Sequence, residues 1–371
     1  MEIIDLFAGS GGFSLGFKMA KYNVPLAVEM DEWAGLTYQK NHKGTKVVMK
    51  DITRLEPPKA CEGIDGIIGG PPCQGFSLSG KRDPKDPRNS LFMEFVRFVD
   101  QCKPKFFMME NVPGILSMKT ADKHNVAEII NKEFTNIGYN VETLKLNSAD
   151  YGVPQTRNRV FFIGLDKKIP FKRKELRPLP TVRKHISIEE ALSDLPLIQA
   201  REGHEPMEYT TGPKNGYQEI MRKGSREVWN HVSIKHTKRM VERFHDIKEG
   251  GSMKDADKKH HPRKKGNPSV ISGKIFGQNN RRPYRNKPSP TITAGFQGSF
   301  IHPWIDRNYT VREGARLQSF PDRYRFYGKR STMSWEKNLS QYQQVGNAVP
   351  PLMARALAAN MKTYIKLHTS E

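Results

Sequence analysis

EIIDLFAGSGGFSLGFKMAK, residues 2–21, contains an apolar strand, Glu2 to Phe7, then the glycine-rich turn AGSGG and a helical run, Phe13 to Lys21. Glycine lets a ligand approach the backbone, and the first turn of a helix offers N–H groups without intrahelical partners. The stretch therefore indicates a nucleotide-type pocket. Its glycine spacing is not the dinucleotide fingerprint. A turn that serves packing alone is the other interpretation.

Two further strands place acidic residues near this turn. Pro25 to Met30 contains Glu29, at the offset of about twenty residues where an acid meets ribose hydroxyls in nucleotide-binding βαβ units. Lys46 to Met49 is followed by Asp51. Open α/β sheets bind ligands at the carboxyl ends of their strands, so we expect these groups at one sheet edge.

A second informative stretch is GGPPCQGFSLS, residues 69–79, which follows the apolar run Gly66 to Ile68. Prolines fix φ and glycines permit tight turns, so this loop can hold Cys73 in a set direction. A thiol presented in this way is a candidate nucleophile. Taken alone, Cys73 is better explained as a small apolar residue in a turn, and the other motifs of the chain reverse that preference.

Composition excludes several protein classes. The 371 residues contain no apolar stretch long enough to cross a bilayer, and the acidic N-terminus lacks a signal-peptide pattern. Cys61, Cys73 and Cys102 predict neither a disulfide framework nor a metal knuckle, so we expect a reducing, cytoplasmic setting and no metal. Cys102 lies on the helical run Leu91 to Lys103 and is expected to pack in the core.

The net charge of +22 indicates a polyanionic partner. Residues Lys167 to Lys287 carry 29 Lys or Arg and 14 Asp or Glu, so +15 of that charge lies there. The flanking segments alternate strand and helix patterns. The chain is therefore predicted to be an α/β body interrupted by a basic insertion.

Six strings in order resemble the motif set of the DNA (cytosine-5) methyltransferases, from Asp5 to Pro351. They are DLFAGSGG, GGPPCQGFS, ENVPG at Glu110 to Gly114, QTRNR at Gln155 to Arg159, REGARLQSFPD at Arg312 to Asp322, and QVGNAVPP at Gln344 to Pro351. The resemblance implies an S-adenosylmethionine-dependent transferase with a Rossmann-like, mostly parallel sheet and a smaller, basic target-recognition domain. The expected boundaries are 1–184 for the catalytic domain, 185–331 for the recognition domain and 332–371 for a segment that returns to the catalytic domain.

The resemblance also implies the cofactor contacts. Phe7 would stack on adenine, Glu29 would bind the ribose hydroxyls, and Asp51 would lie near the adenine amine. The full set of expected cofactor-binding residues is Phe7, Ala8, Gly9, Gly11, Gly12, Glu29, Met30, Asp51, Ile52, Asn347 and Val349.

Methylation at C5 of cytosine needs covalent help, because that carbon is a weak nucleophile. A thiolate added at C6 leaves an enamine whose C5 can attack a methyl group. Cys73, set by Pro72, fits this role. Glu110 ends an apolar strand, Phe106 to Met109, that would desolvate its carboxyl and favour the protonated form that donates at N3.

Three further residues complete the expected active site. Arg159 matches the family arginine that reaches O2, and Arg157, two residues back, is expected on the same strand face. One or both should line the site. Asn111 is expected to hold the geometry of the loop.

A stacked base is inaccessible, so such an enzyme extrudes its target nucleotide. The loop Gly75 to Asn89 is expected to close over DNA.

The insertion is expected to contact the DNA as well. A helix is expected from Ile234 to Lys248, and QNNRRPYRN (278–286) is expected to read base edges. Thr291 matches a family threonine. The expected DNA-binding residues are Ser77, Ser79, Lys81, Arg82, Gln278, Asn279, Arg281, Arg282 and Thr291.

Three alternatives remain beside this interpretation. The family's transfer-RNA branch has a Cys-Phe-Thr signature that is absent here, and enzymes that methylate exocyclic amines carry an acidic or serine-led Pro-Pro-aromatic string. The third is a DNA-binding regulator that has lost activity. The expected setting is the prokaryotic cytoplasm, with a monomer acting on double-stranded DNA beside a restriction endonuclease.

Overall fold

The computed structural model describes residues 1–58, 61, 63–72, 91–120, 123–264, 266–272 and 277–369. The chain divides into two compact units. We call Met1–Tyr151, Asn158–Arg183 and Ala348–Glu371 the sheet unit, and Gly152–Arg157 and Lys184–Asn347 the insert unit.

Helices and strands occur in both units. In chain order they are β1 (Glu2–Leu6), α1 (Gly12–Met19), β2 (Asn23–Val28), α2 (Glu32–Asn41), β3 (Lys46–Val48), β4 (Gly66–Gly69), α3 (Leu91–Cys102), β5 (Phe106–Asn111), α4 (Val126–Asn136), β6 (Tyr139–Asn147), β7 (Asn158–Asp166), α5 (Ile188–Leu192), β8 (Met207–Glu208), α6 (Gly216–Arg222), β9 (Glu227–Val228), α7 (Lys238–Asp246), β10 (Arg263–Lys264), β11 (Asn267–Ile271), α8 (Phe296–Ser299), α9 (Val311–Leu317), α10 (Gln341–Asn347) and α11 (Pro351–His368).

The sheet unit contains a seven-stranded sheet in the order β3-β2-β1-β4-β5-β7-β6. The strands β1 to β5 run parallel, whereas β7 is antiparallel to β5 and β6 is antiparallel to β7. The carboxyl ends of the parallel strands therefore meet at one edge, and the start of β7 lies at that same edge. The predicted mostly parallel α/β sheet is confirmed.

Helix α11 packs closely on α1 within the sheet unit. A Cβ atom built at Gly16 would lie 2.3 Å from Ala354 Cβ and 2.6 Å from the carbonyl oxygen of Pro351. The Tyr22 hydroxyl donates to the carbonyl of Ala358 at 3.2 Å. The close packing of α11 on α1 therefore requires glycine, which has no side chain, at position 16.

Short elements and buried ion pairs build the insert unit. Arg316 pairs with Asp194 at 2.8 Å and with Asp322 at 2.6 Å, and all three side chains are fully buried. Arg307 pairs with Glu313 at 2.7 Å, and Glu313 also forms a capping box with Thr310 at the start of α9. Separating the partners of a buried ion pair leaves a buried charge without compensation, which is strongly destabilising. These pairs therefore hold the short elements of the insert unit together.

Two predictions about this architecture need correction. The helix expected from Ile234 to Lys248 is shorter, because α7 begins only at Lys238, where Thr237 caps it through the N–H of Met240. The sequence predicted no disulfide, but Cys61 and Cys102 are joined in one. Both cysteines lie in the sheet unit's hydrophobic core, as expected for Cys102.

No described helix is long and apolar enough to span a bilayer. Over the same residues, no group of three or more His, Cys, Asp or Glu side chains could hold a metal ion.

We predict that Gly16→Ala destabilises the protein by about 1–3 kcal/mol, because the added methyl group overpacks the contact between α1 and α11. Chemical denaturation of both forms would measure the change. Gly216→Ala, at a helical site where a Cβ meets no atom within 4 Å, is the matched control. An equal effect at both positions would contradict the close-packing explanation.

Candidate active site

The turn after β1 adopts left-handed backbone conformations. Phe7, Gly9 and Gly11 have φ of 53°, 55° and 86°. A Cβ at Gly9 would meet no atom within 4 Å, so space is open beside the backbone there. Glycine reaches these angles without the strain that Phe7 bears. The turn is therefore an open cradle ahead of α1.

Glu29 fixes the shape of this turn. Its carboxylate accepts the N–H of Gly9 at 2.7 Å and the N–H of Asp31 at 2.8 Å. Burial raises the pKa of Glu29, and the two backbone donors oppose that rise. Each carboxylate oxygen keeps a second lone pair, which can accept a ribose hydroxyl. The residues present therefore fit the predicted ribose contact.

The other predicted cofactor residues differ in exposure. Asp51 accepts the N–H of Thr53 at 3.0 Å, next to the buried Ile52. Met30 is 68% exposed. Ala8, Gly12 and Val349 are buried, and Asn347 is exposed. Asn347 belongs to the insert unit and Val349 to the sheet unit.

Glu110 and Arg159 form an ion pair at the sheet edge. Arg159 Nε lies 2.8 Å from Glu110 Oε1, and the two side chains are only 12% and 13% exposed. Glu110 lies near the end of β5, and Arg159 is the second residue of the antiparallel β7. Burial lowers the pKa of Arg159, and Glu110 opposes that effect. The sequence predicted both residues but not their pairing.

The described start of the Pro-Pro loop lies beside this pair. A Cβ at Gly70 would be 3.2 Å from Glu110 Oε2. The Asn111 amide donates to the carbonyl of Pro71 at 3.4 Å, and Pro72 is exposed. Cys73, Ser77, Ser79, Lys81 and Arg82 lie outside the described residues.

Arg157 does not share a strand face with Arg159, because β7 begins at Asn158. The Arg157 side chain is buried and donates to the carbonyls of Ile292 at 2.6 Å and Gly346 at 2.8 Å. Those contacts lie within the insert unit. Arg157 therefore binds backbone there.

The predicted base-reading residues differ in exposure: Arg282 is buried, whereas Gln278 and Asn279 are exposed. Arg282 is buried, donates to the carbonyls of Phe244 and Ile247, and pairs with Asp306 at 2.6 Å. This network occupies the guanidinium donors of Arg282 inside the protein. Gln278 and Asn279 are exposed, and the Arg281 guanidinium lies 4.9 Å from the centre of the Phe300 ring. Thr291 donates to the carbonyl of Thr156 at 2.8 Å.

The family model for C-5 cytosine-specific DNA methylase matches residues 1–363. The chain belongs to this family. The methylase is 58% identical to the Type II methyltransferase M.DdeI of Desulfomicrobium norvegicum, across 99% of this chain and 89% of the relative. It is 36% identical to the Type II methyltransferase M1.HphI of Haemophilus parahaemolyticus, across 100% of this chain and 88% of the relative.

Solved structures share the fold of this methylase. A crystal structure of a putative prophage-encoded DNA modification methyltransferase from E. coli has a TM-score of 0.77 at 29% identity, covering 98% of this chain and 99% of that one. A Spodoptera frugiperda DNMT2 mutant has a TM-score of 0.58 at 17% identity, covering 98% and 99%. The second likeness concerns the fold alone.

Asp5 is a buried acid whose role the sequence pattern did not reveal. Asp5 is fully buried in β1, and its Oδ2 accepts the Ser14 hydroxyl at 2.6 Å. Ser14 in turn accepts the Tyr38 hydroxyl at 2.6 Å. Asp5 Oδ1 has no hydrogen-bond partner among the described residues. A strand buried on both faces carries no alternation that would reveal such a group.

Burial raises the pKa of Asp5 to about 7, with the charge of Glu29 adding to the rise. Because the folded protein holds the Asp5 proton more tightly than the unfolded chain does, this group contributes its full stability below the ordinary pKa of 3.8. That contribution is lost as the pH rises toward 7. We predict that the wild type loses about 1 kcal/mol per pH unit relative to Asp5→Asn between pH 5 and 7. Urea denaturation at several pH values would measure this, and parallel curves would contradict it.

We predict that Glu29→Ala raises the Kd for S-adenosylmethionine at least about tenfold, because hydrogen bonds to a charged group contribute about 1.5–3 kcal/mol each. Isothermal titration calorimetry would measure the Kd. Glu32→Ala, which removes an exposed carboxylate from the start of α2, is the control. A normal Kd for Glu29→Ala would remove Glu29 from the cofactor site.

Proposed function

We propose that this methylase transfers a methyl group from S-adenosylmethionine to C5 of a flipped-out cytosine in double-stranded DNA, through a covalent bond between Cys73 and C6. The observation that supports this most strongly is the Glu110–Arg159 pair, which lies at the sheet edge beside Gly70. A donor for N3 and a cation for O2 are the two groups that the addition at C6 needs.

The cradle after β1 would hold the cofactor. Phe7 would stack on its adenine, Glu29 would accept its ribose hydroxyls, and Asp51 would meet its adenine amine. When bound, S-adenosylmethionine supplies an electrophilic methyl group. The family and the fold of the methylase imply this cofactor.

The chain's own residues carry the remaining steps. The Cys73 thiolate forms a bond to C6, and electron density moves into the ring, where Glu110, in its protonated form, donates its proton at N3 and Arg159 donates a hydrogen bond at O2. The N3 proton returns to Glu110 when the cysteine leaves. After methylation, water removes the C5 proton, the C5–C6 double bond re-forms, and Cys73 leaves as a thiolate. The cysteine is thus regenerated.

The insert unit acts as the target-recognition domain. The segment Lys167 to Lys287, most of which lies in this unit, carries +15 of the charge, and the unit exposes amides such as Gln278 and Asn279. Cations hold phosphates without reading sequence, whereas amides can read an adenine edge.

The biological setting is a restriction-modification system in a prokaryotic cytoplasm. Both relatives described above are named Type II methyltransferases and match along nearly the whole chain. Methylation would protect the host's own sites from a partner endonuclease. The enzyme needs no physical contact with that endonuclease.

Bisulfite sequencing of plasmid DNA from expressing cells tests the reaction. We expect protected cytosines in one short sequence context with the wild type, and none with Cys73→Ser, whose hydroxyl is a far poorer nucleophile. Arg159→Lys should lower methyl transfer by about 100-fold or more, because lysine lacks the planar fork.

Duplex DNA that carries 5-fluorocytosine at the target tests the covalent step. Fluorine cannot leave as a proton does, so the wild type should remain attached under denaturing conditions and Cys73→Ser should not. A near-normal rate for Cys73→Ser would remove the cysteine from the mechanism. If the wild type protects no cytosine but methylates RNA, the DNA assignment is wrong.

A further inference from the structure

A loop of the insert unit holds two large apolar side chains in solvent. We call residues 328–338, between α9 and α10, the tryptophan loop. Trp335 is 76% exposed and Met333 is 61% exposed. The structure describes all four tryptophans of the chain, and only Trp335 is exposed. Exposed Trp side chains that lie together with other apolar groups mark interaction sites.

Hydrogen bonds brace the tryptophan loop. The Glu336 carboxylate accepts the N–H of Met333 at 2.8 Å and pairs with the Lys329 ammonium. The N–H of Glu336 donates to the carbonyl of Met333 at 3.1 Å. Gln341 donates to the carbonyls of Lys329 and Gly328, each at 3.0 Å. The two apolar side chains are thus presented by a preformed loop, which lowers the entropy cost of binding.

Charge identifies the class of partner. From Arg323 to Lys337 the chain carries five cations and one acid; the cations are Arg323, Arg325, Lys329, Arg330 and Lys337. Arg323 and Arg325 also line a cleft of about 440 Å³ together with Arg226 and one acid, Glu227, which pairs with Arg325 at 3.1 Å. Two copies of this surface would bring like charges together, so a second copy of the chain is disfavoured. A polyanion is favoured.

We propose that the tryptophan loop is a sequence-independent contact with duplex DNA. Trp335 and Met333 pack on sugars and base edges in a groove, as the apolar wedges of groove-binding proteins do. Of the five cations, Lys329, Arg325 and Arg330 pair with Glu336, Glu227 and Glu205, and Arg323 and Lys337 neutralise phosphates. This inference rests on the proposed function, because it takes the same duplex as the partner. It assigns to the loop a contact outside the pocket that holds the target base.

Equilibrium binding and methylation kinetics of Trp335→Ala test the proposal. We expect the Kd and the KM for duplex DNA to rise about tenfold, as for loss of one aromatic contact with a base, while kcat is unchanged. The slope of log Kd against log salt should not change, because no charge is lost. Trp335→Phe should restore most of the affinity.

Two controls separate the apolar and the ionic contributions. Lys337→Gln should lower the salt slope by about 0.9, the value for one phosphate contact. Leu197→Ala removes another side chain of the insert unit that is 71% exposed, and it should bind DNA normally. In the wild type, duplex DNA should protect Trp335 fluorescence from acrylamide quenching.

The possible results are distinguishable. If the wild type methylates DNA and Trp335→Ala keeps a normal KM, this inference fails and the proposed function stands. If the wild type neither binds nor methylates DNA, both fail. If Trp335→Ala alters only the sedimentation of the free protein, the loop is an interface between copies and the DNA contact is wrong.

Discussion

The carboxylate of Glu29 is the contact on which the sheet edge depends. Phe7, Gly9 and Gly11 all adopt positive φ, and a non-glycine residue persists there only when its surroundings hold it. Glu29 supplies that restraint through the N–H groups of Gly9 and Asp31, and so ties the end of β1 to the end of β2. Burial raises the pKa of Asp5 below the turn, and the charge of the Glu29 carboxylate adds to that rise. Glu29 therefore both holds the turn through two backbone N–H groups and affects the ionisation of Asp5.

The sequence predicted most of the sheet, because strands buried on both faces are continuous apolar runs. The predicted ends of β1, β4 and α3 agree with the structure to within two residues. Contacts between distant residues were not predictable. The pairing of Cys61 with Cys102 spans 41 residues. The Glu110–Arg159 pair depends on β7 running antiparallel to β5, which neither local pattern shows.

The number of arginines in the insert unit does not by itself measure how many of them can contact DNA. Arg157, Arg282, Arg307, Arg312 and Arg316 are all buried, and each donates to backbone carbonyls or pairs with an acid. Five of the positive charges counted for the chain therefore act inside the protein. The guanidinium fork satisfies several carbonyls at once, which apolar side chains cannot do.

The pairing of Glu110 with Arg159 bears on how a base would enter the site. Both side chains are nearly buried, and an unpaired charge in such a place is strongly destabilising. The ion pair keeps both groups in position before a substrate arrives. In the proposed reaction, a cytosine can replace each partner by another hydrogen bond only if Glu110 is protonated and donates to N3, while Arg159 donates to O2. Uracil and thymine carry a proton on N3, so they would leave the protonated Glu110 unsatisfied, and in the proposed reaction this favours cytosine over those bases.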